Sequence, residues 1–280
     1  MPIVVDTHAH IYSEDVERYP WIPNPYLPPA GHGTIEDLKS EVEQNGIDRV
    51  VVVQTFTVYR HDNRLVIDTV RQNSSWTTGV LNLDPFDARS IDLMRESRQA
   101  GVRGNRVSEG WPTDDTVRPA HHQLWETAQE LDMVICALLN PPNCHSLAKL
   151  LESFPDVPVV LDHCANLSVV DFPDSRNLKT VLELARFENL YAKLSFVVTG
   201  SAEEFPCRDM FDLTRRIIEA YTPERCIWGS DFPTALWIPK VTYQRHLNIF
   251  DQHLGLSESE KSLILGQTAL QLWFPPDQTN

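Results

Sequence analysis

The sequence predicts an α/β protein of the (β/α)8 TIM-barrel class, and three observations lead to this prediction. Eight short β-branched runs alternate with helical patterns from one end of the 280-residue chain to the other. Most of these runs are continuously apolar, such as the four valines at 50–53, which is typical of strands buried on both faces of a parallel sheet. The chain has no G-x-G-x-x-G or Walker glycine loop to support an open doubly wound sheet. A closed barrel is the simplest arrangement for eight βα units.

The strands are predicted from β-branched and apolar runs that are bounded by turn residues. In order along the chain they occupy residues 3–8, 49–55, 77–83, 102–106, 133–138, 157–163, 190–195 and 226–231.

Helices are predicted between the strands from their start and stop residues. Thr34 begins a capping-box pattern, T-I-E-D, and opens a helix that Gly46 can end. Asp62 and Asp87 are predicted N-caps of the next helices, and Ser257 opens the last one with the pattern S-E-S-E.

Two long segments interrupt the regular alternation of strands and helices, so the barrel can be distorted near them. Residues 19–33 form a Pro- and aromatic-rich insertion after strand 1, and residues 196–208 follow strand 7. Loops at this end of a barrel form the mouth of the active site. Two interpretations of the first insertion remain open: a rigid surface loop that packs its own aromatic residues, or a lid over the substrate.

Length and composition favour one globular domain. Barrels of about 250 residues commonly form a single domain, and 42% hydrophobic and 22% charged residues are ordinary for a chain with a large core. We expect a single domain over residues 1–274 and a polar C-terminal tail over 275–280.

Charge and cysteine content indicate where the protein works. The formal net charge of −15, without any cluster of basic residues, argues against nucleic acid and membrane surfaces as partners. The first twenty residues carry Asp6, His8, His10 and further acidic residues, so we do not expect them to form a secretory leader. Five cysteines without a C-x-x-C pair fit a reducing compartment. We therefore expect a cytoplasmic protein, and a homo-oligomer is compatible with the sequence.

Three histidines and one aspartate are predicted at the carboxyl ends of three strands. His8 and His10 are two residues apart, so they lie on the same side of strand 1. His163 ends strand 6, and Asp231 ends strand 8. Each alone has an ordinary interpretation, a buried imidazole or a helix cap, but the carboxyl ends of barrel strands converge on one site. Such a group can bind a metal ion or polarise a carbonyl.

Several motifs together resemble the amidohydrolase superfamily, and within it the amidohydrolase-2 branch. These motifs are DTHAH at 6–10, GVRGNR at 101–106, LDH at 161–163, YAKLS at 191–195, GSDFP at 229–233 and ILGQTALQLW at 264–273. Within that branch the pattern is most similar to lactonases that open 2-pyrone-4,6-dicarboxylate and sugar lactones such as L-fuconolactone.

The resemblance implies roles for the four predicted site residues. Asp231 would be the general base that takes a proton from the attacking water. His8, His10 and His163 would polarise the lactone carbonyl, or would bind a divalent cation together with Asp231. An ionised aspartate beside imidazoles or a cation agrees with this chemistry.

Departures from the superfamily pattern bear on the metal. Two-metal members bridge their ions with a lysine or glutamate from strand 4 and place a histidine on strand 5. Here strand 4 ends in Gly-Asn-Arg at 104–106, and residues 137–140 after strand 5 are Ala-Leu-Leu-Asn. We therefore expect either no required cofactor or a single divalent cation, with Zn²⁺ the best candidate.

Basic and aromatic residues near the predicted mouth are candidates for substrate binding. Arginine binds a carboxylate through two parallel hydrogen bonds, so Arg106 is the preferred anchor of an acidic substrate. The alternative for Arg106 is a buried ion pair with Glu109 or Asp84. Further candidates that could line the mouth are Arg103, Arg60, Tyr59 and Trp111.

The sequence therefore predicts a hydrolase that opens a lactone, with a carboxylated small molecule as substrate. Asp231 would activate water, and the histidines would polarise the carbonyl. One alternative is a Zn-dependent nonoxidative decarboxylase of an aromatic or enol acid, although the further histidine usual in those enzymes is missing. Another alternative, a catalytically inactive binding module, is hard to reconcile with four site residues in place.

Overall fold

Eight parallel strands form a nearly closed barrel in the computed structural model, which describes residues 2–108, 111, 117–233 and 241–275. The strands follow one another in chain order from β1 to β8, and each pairs in parallel with the next. The first and last strands meet through a parallel bridge between Ala9 and Phe232 and a hydrogen bond of 3.2 Å from Thr7 N to Trp228 O. The predicted (β/α)8 barrel is confirmed.

All eight predicted strands are present, and each is short. Their bounds are β1 Val5–Ala9, β2 Arg49–Val53, β3 Thr77–Asn82, β4 Gly104–Val107, β5 Val134–Ala137, β6 Val159–Leu161, β7 Leu190–Lys193 and β8 Cys226–Ile227. The pairing of β1 with β2 shifts register between Asp6 and Ala9, which is the local distortion of the barrel.

Helices follow the strands on the outside of the barrel. They are α1 Ile35–Asn45, α2 Phe56–Tyr59, α3 Arg64–Gln72, α4 Arg89–Gln99, α5 Pro119–Glu130, α6 Cys144–Ser153, α7 Arg176–Leu184, α8 Phe196–Thr199, α9 Phe211–Tyr221, α10 Tyr243–Asn248, α11 Glu258–Ser262 and α12 Thr268–Trp273. Short 3-10 turns occur at Pro141–Asn143, Asp162–Asn166, Val169–Asp171, Arg208–Met210 and Pro223–Arg225, and π turns at Ile249–His253 and Leu263–Gln267. No helix in the described ranges is both long and apolar enough to span a bilayer.

The predicted ends of α1 and the start of α11 are confirmed. Thr34 Oγ1 accepts a hydrogen bond from Asp37 N at 3.1 Å, and Gly46 ends the helix in the left-handed conformation. Ser257 and Glu260 form a reciprocal capping box.

The predicted N-caps Asp62 and Asp87 are wrong by one residue. The caps of α3 and α4 are Asn63 and Ala88. Each aspartate instead accepts a hydrogen bond from the backbone nitrogen two residues further on, which is the turn that this side chain commonly forms.

The inside of the barrel is apolar at its amino-terminal end. Its central cluster comprises Val5, Val51, Val53, Val80, Val134, Cys136, Val160, Ile227, Ala269 and Trp273. Trp273 of α12 packs against Gly104, the first residue of β4, where a Cβ atom would lie 2.6 Å from the indole ring. The last helix thus closes this end of the barrel, and polar side chains occupy the other end.

The long insertion after β1 is attached to the segment that follows β2. Backbone nitrogens of Ile22 and Tyr26 donate to the carbonyls of Val58 and Thr57, at 2.8 and 3.2 Å. Tyr19 is buried, and its hydroxyl donates to Asp68 Oδ2 at 2.8 Å. The insertion therefore packs on α2 and α3 at the carboxyl end of the barrel.

Candidate active site

The structure brings His8, His10, His163 and Asp231 together at the carboxyl ends of β1, β6 and β8. His8 Nε2 lies 3.1 Å from His10 Nε2, and Asp231 Oδ1 lies 3.6 Å from the first and 3.7 Å from the second of these atoms. The rings of His8 and His163 are 4.7 Å apart at their centroids. Three imidazoles and one carboxylate therefore share a single site.

Local backbone geometry directs two of these side chains. His163 lies in a turn of consecutive residues with left-handed backbone, with a φ of 52°. Asp231 has a φ of 55°, a conformation that aspartate tolerates better than most residues. Both residues leave the strand direction where their strands end.

Asp231 is buried beside groups of both charges. Burial raises the pKa of its carboxyl above the usual range, and Asp162 adds to this increase, while His163, Arg106 and Lys193 act against it. The carboxylate thus combines the basicity of a buried acid with neighbours that favour its ionised form.

Asp6 links the strands that carry these groups. Its carboxylate accepts hydrogen bonds from His8 N at 3.0 Å, Ser230 N at 2.9 Å, Ser230 Oγ at 2.6 Å and Tyr243 Oη at 2.8 Å. Asp6 of β1 is thereby hydrogen-bonded to Ser230, the residue before Asp231. Sequence reasoning missed this role, although Asp6 opens the DTHAH motif and is an unusual charge in an apolar strand.

A second buried carboxylate, Asp162, lies below the histidines. Its Oδ1 is 2.8 Å from Lys193 Nζ, and its Oδ2 is 3.7 Å from Arg106 Nη1. These two cations outweigh burial and keep the pKa of Asp162 below its usual range. Lys193 Nζ also lies 3.1 Å from His8 Nδ1. Asp162 was not predicted as a site residue; its position two residues after inward-facing Val160 is the pattern that would have identified it.

The site opens into a cavity of about 250 Å³. Its walls are His10, Thr55, Phe56, Thr57, Arg106, Leu138, His163, Asn166, Thr199 and Asp231. Thr199 belongs to the second predicted insertion. A larger cavity of about 450 Å³ beside Asp84 and Asp87 contains none of the converging histidines, so the smaller one is the candidate active site.

Arg106 is the one predicted substrate-binding residue that lines this cavity. It is buried, its Nη2 donates to Gln54 O at 3.0 Å, and its Nε has no hydrogen-bond partner among the described residues. Its carboxylate neighbour is Asp162. The alternative partner Glu109 lies outside the described residues.

The other four candidates lie elsewhere. Arg103 precedes β4 at the end opposite Arg106. Arg60 is exposed, with its guanidinium 5.5 Å from the centre of the Phe56 ring. Tyr59 is buried, and its hydroxyl accepts a hydrogen bond from Ser13 N. Trp111 donates to Val107 O and lines an adjoining cavity that shares Leu138 and Asn166 with the first.

The donor atoms fit one divalent cation. His8 Nε2, His10 Nε2 and Asp231 Oδ1 form a triangle with sides of 3.1, 3.6 and 3.7 Å. A point equidistant from its corners is about 2 Å from each, which matches Zn–N and Zn–O bonds. Ligand atoms of His8, His163 and Asp231 also lie within 4.8 Å of one another, so His163 is a further candidate ligand at this site.

Comparison with known proteins places this geometry in context. The family model described as amidohydrolase matches residues 5–274. The chain is 26% identical to a 4-sulfomuconolactone hydrolase of Rhizobium radiobacter over 81% of its length and 75% of the relative. It is 23% identical to an L-fucono-1,5-lactonase of Burkholderia ambifaria, covering 84% and 82%, and 25% identical to a 2-pyrone-4,6-dicarboxylate hydrolase of Comamonas testosteroni, covering 98% and 90%.

Solved structures share the fold. A probable 2-pyrone-4,6-dicarboxylic acid hydrolase of Acinetobacter baumannii superposes with a TM-score of 0.82 at 20% identity, covering 98% of this chain and 99% of that one. An amidohydrolase of Burkholderia multivorans with bound zinc gives 0.79 at 19% identity, covering 98% and 100%. A 5-carboxyvanillate decarboxylase of Sphingomonas paucimobilis gives 0.66 at 15%, covering 98% and 99%.

Proposed function

This chain is a member of the amidohydrolase family, and on that basis we propose that it hydrolyses a carboxylate-bearing lactone with Asp231 as general base. The observation that carries the proposal is the distance of 3.6 to 3.7 Å from Asp231 Oδ1 to the Nε2 atoms of His8 and His10. A base and the imidazole groups of His8 and His10 thus lie beside the same point. The family, together with curated relatives that are lactone hydrolases, supports an enzyme acting on ester or lactone bonds.

The first chemical step uses the ionised carboxylate of Asp231. It takes a proton from water as the water oxygen bonds to the lactone carbonyl carbon. The carbonyl π electrons move to oxygen, where the Nε2–H group of His8 stabilises the negative charge. The second step breaks the ring C–O bond, and the proton held by Asp231 passes to the departing alkoxide. The products are an alcohol and a carboxylic acid within one molecule.

Arg106 is the proposed anchor of the substrate carboxylate. It lines the cavity together with His10 and Leu138, and its buried Nε lacks a partner among the described residues. A substrate carboxylate would supply the acceptor that this N–H lacks. This contact would orient the ring over Asp231.

A single divalent cation is compatible with the same residues. His8, His10 and Asp231 would hold it, with His163 nearby, and bound there it would add positive charge beside the carbonyl oxygen. Zn²⁺ suits this set of nitrogen and carboxylate ligands.

The test is an assay of the purified protein against a panel of lactones, followed by acid release at constant pH. The panel contains carboxylated lactones, neutral sugar lactones and aromatic carboxylic acids. We expect hydrolysis of a carboxylated lactone, and its loss by at least about 10³-fold in Asp231→Asn. Asp92→Asn, an exposed change on α4, is the control. Full activity of Asp231→Asn would refute the assigned base.

The same panel tests the decarboxylase predicted as the alternative. Release of CO₂ from an aromatic acid, with no lactone turned over, would replace lactone hydrolysis by decarboxylation. A fold shared with a decarboxylase does not by itself favour that reaction.

A further inference from the structure

Lys193 lies in the barrel interior, where its ammonium group contacts two acceptors. Nζ is 2.8 Å from Asp162 Oδ1 and 3.1 Å from His8 Nδ1, and all three side chains are fully buried. An ammonium group donates hydrogen bonds and cannot accept them. His8 Nδ1 is therefore the acceptor in this contact and carries no proton.

The protons of the two histidines follow from this contact. Because Lys193 donates to Nδ1, the ring proton of His8 sits on Nε2. That N–H points to His10 Nε2 at 3.1 Å. His10 Nδ1 lies 2.9 Å from Val53 O, a pure acceptor, so the His10 proton sits on Nδ1 and its Nε2 accepts. In this series of hydrogen bonds, from Lys193 to His8, from His8 to His10 and from His10 to Val53, every donor meets an acceptor.

We propose that Lys193 is a positioning residue that holds His8 in its Nε2–H form and thereby weakens divalent-cation binding at His8, His10 and Asp231. A cation there needs the lone pair of His8 Nε2, which is the atom that carries the proton. The proton must then move to Nδ1, where Lys193 now donates. The nearest carboxylate oxygen to that nitrogen, Asp162 Oδ1, is 3.9 Å away and too far for a hydrogen bond.

The same arrangement gives His8 a role without a cation. The Nε2–H group of His8 donates to His10 in this structure and can donate to a substrate oxygen instead. It remains a donor because Lys193 occupies the Nδ1 acceptor on the other side of the ring. The tautomer of His8 is set by contacts within the chain, whatever the substrate.

The first experiment measures zinc affinity by competition with a chromophoric chelator, using metal-free protein. Lys193→Met removes the donor, and we expect zinc to bind about tenfold more tightly or better, the size usual for changes behind a metal ligand. Lys179→Met, an exposed change on α7, is the control and should match wild type. Unchanged or weaker zinc binding by folded Lys193→Met would overturn the proposal.

A second variant guards against misfolding. Lys193→Met leaves Asp162 without its 2.8 Å partner, an unpaired buried charge that destabilises proteins. The double variant Lys193→Met/Asp162→Asn removes both charges, and it too should bind zinc more tightly than wild type. Zinc affinity equal to wild type in this double variant would contradict the proposed effect of Lys193 on cation binding.

Nitrogen-15 NMR of the histidine rings provides a readout independent of metal. Wild-type His8, assigned by loss of its signals in His8→Gln, should show the Nε2–H tautomer, and Lys193→Met should populate the Nδ1–H form. An Nδ1–H tautomer in the wild type, or no change in Lys193→Met, would contradict the proposal. Neither experiment uses a substrate. A negative result in them would therefore not affect the proposal of lactone hydrolysis, and an inactive lactone panel would not affect the proposed role of Lys193.

Discussion

At the scale of single residues, the carboxyl group of Asp231 experiences opposing influences. Burial favours its neutral form, whereas His163, Arg106 and Lys193 favour the carboxylate. The net effect raises its pKa, and a base must be deprotonated to act. For the proposed general base, we therefore expect activity above this raised pKa and its loss as the pH falls through it.

This balance predicts the acid side of the pH profile. The logarithm of kcat/KM should fall with decreasing pH at a midpoint above the ordinary aspartate range near 4. Arg106→Gln removes one cation that lowers the Asp231 pKa, so the midpoint should move to higher pH. Arg176→Gln on the surface of α7 should leave it in place. A midpoint that is the same in Arg106→Gln and wild type would show that Arg106 does not act on the base.

The form of the arginine side chain gives a second prediction. Arg106→Lys keeps the positive charge but loses the parallel pair of N–H groups. For a carboxylated lactone we expect KM to rise about tenfold or more, while a neutral lactone should show little change. Equal effects on both substrates would mean that Arg106 supports the fold of the site and does not bind a carboxylate.

Residues at strand ends were the predictable part of the site. His8, His10, His163 and Asp231 could be placed together because parallel strands end at one face of a barrel. Asp6 and Asp162 were missed because their roles depend on partners from other strands, which spacing along the chain does not reveal. Arg103 lies at the other end of β4, because this strand is only four residues long and a shift of three residues reaches the opposite end of the barrel.

At the scale of elements, the approach of β8 to β1 depends on Gly229. A Cβ atom at this position would lie 2.7 Å from His8 Cβ and 3.0 Å from His8 N. Such contacts force the backbone apart, so the segment that carries Asp231 would move away from the histidines.

We therefore expect Gly229→Ala to lower kcat/KM by about 10²-fold or more, because displacements near 1 Å are enough for such losses. Gly46→Ala at the end of α1 is the comparison. That position has open space but a φ of 67°, so it should cost about 1 kcal/mol of stability and leave activity unchanged. Assays and urea unfolding of both variants check this; full activity in Gly229→Ala would show that the strand ends can separate without harm.

The sequence predicted which segments form strands better than it predicted how long the strands are. Buried β-branched runs identify each strand, but the predicted strand 226–231 is observed as Cys226–Ile227 alone. Beyond Ile227, the chain still pairs with β1, but irregularly, for example through Asp231 N and His8 O at 2.8 Å. Ser230 adds hydrogen bonds to the Asp6 carboxylate. These contacts join residues far apart in the sequence, and no local propensity encodes them.

At the scale of the whole molecule, the barrel is closed at one end by its own last helix. Trp273 is 1% exposed and packs inside the amino-terminal end against Gly104. Trp273→Ala should lower the free energy of unfolding by about 3 to 5 kcal/mol, because a large buried ring is removed. Trp21→Ala, at a ring that is 37% exposed, should cost much less in the same urea titration. Similar losses in both would mean that the end of the barrel does not depend on this ring.

The overall fold was predictable because the βα rhythm extends along the entire chain. The shape of the mouth was not, since it arises from contacts between distant loops, such as those of Ile22 and Tyr26 with the segment after β2. Composition could not reveal which insertion reaches the cavity. In the structure, Thr199 of the second insertion lines it.

The paired charges beneath the cavity also bear on how a turnover ends. Lys193 and Arg106 are matched by Asp162 and Asp231, and the histidines near them are neutral, so these described groups sum to zero. The proposed substrate brings one carboxylate to this layer, and opening of its ring creates a second. Once the released proton reaches solvent, the bound product carries two negative charges beside groups whose own charges cancel. For the proposed reaction, ring opening therefore weakens the electrostatic attraction between the site and its contents, which favours release of the product.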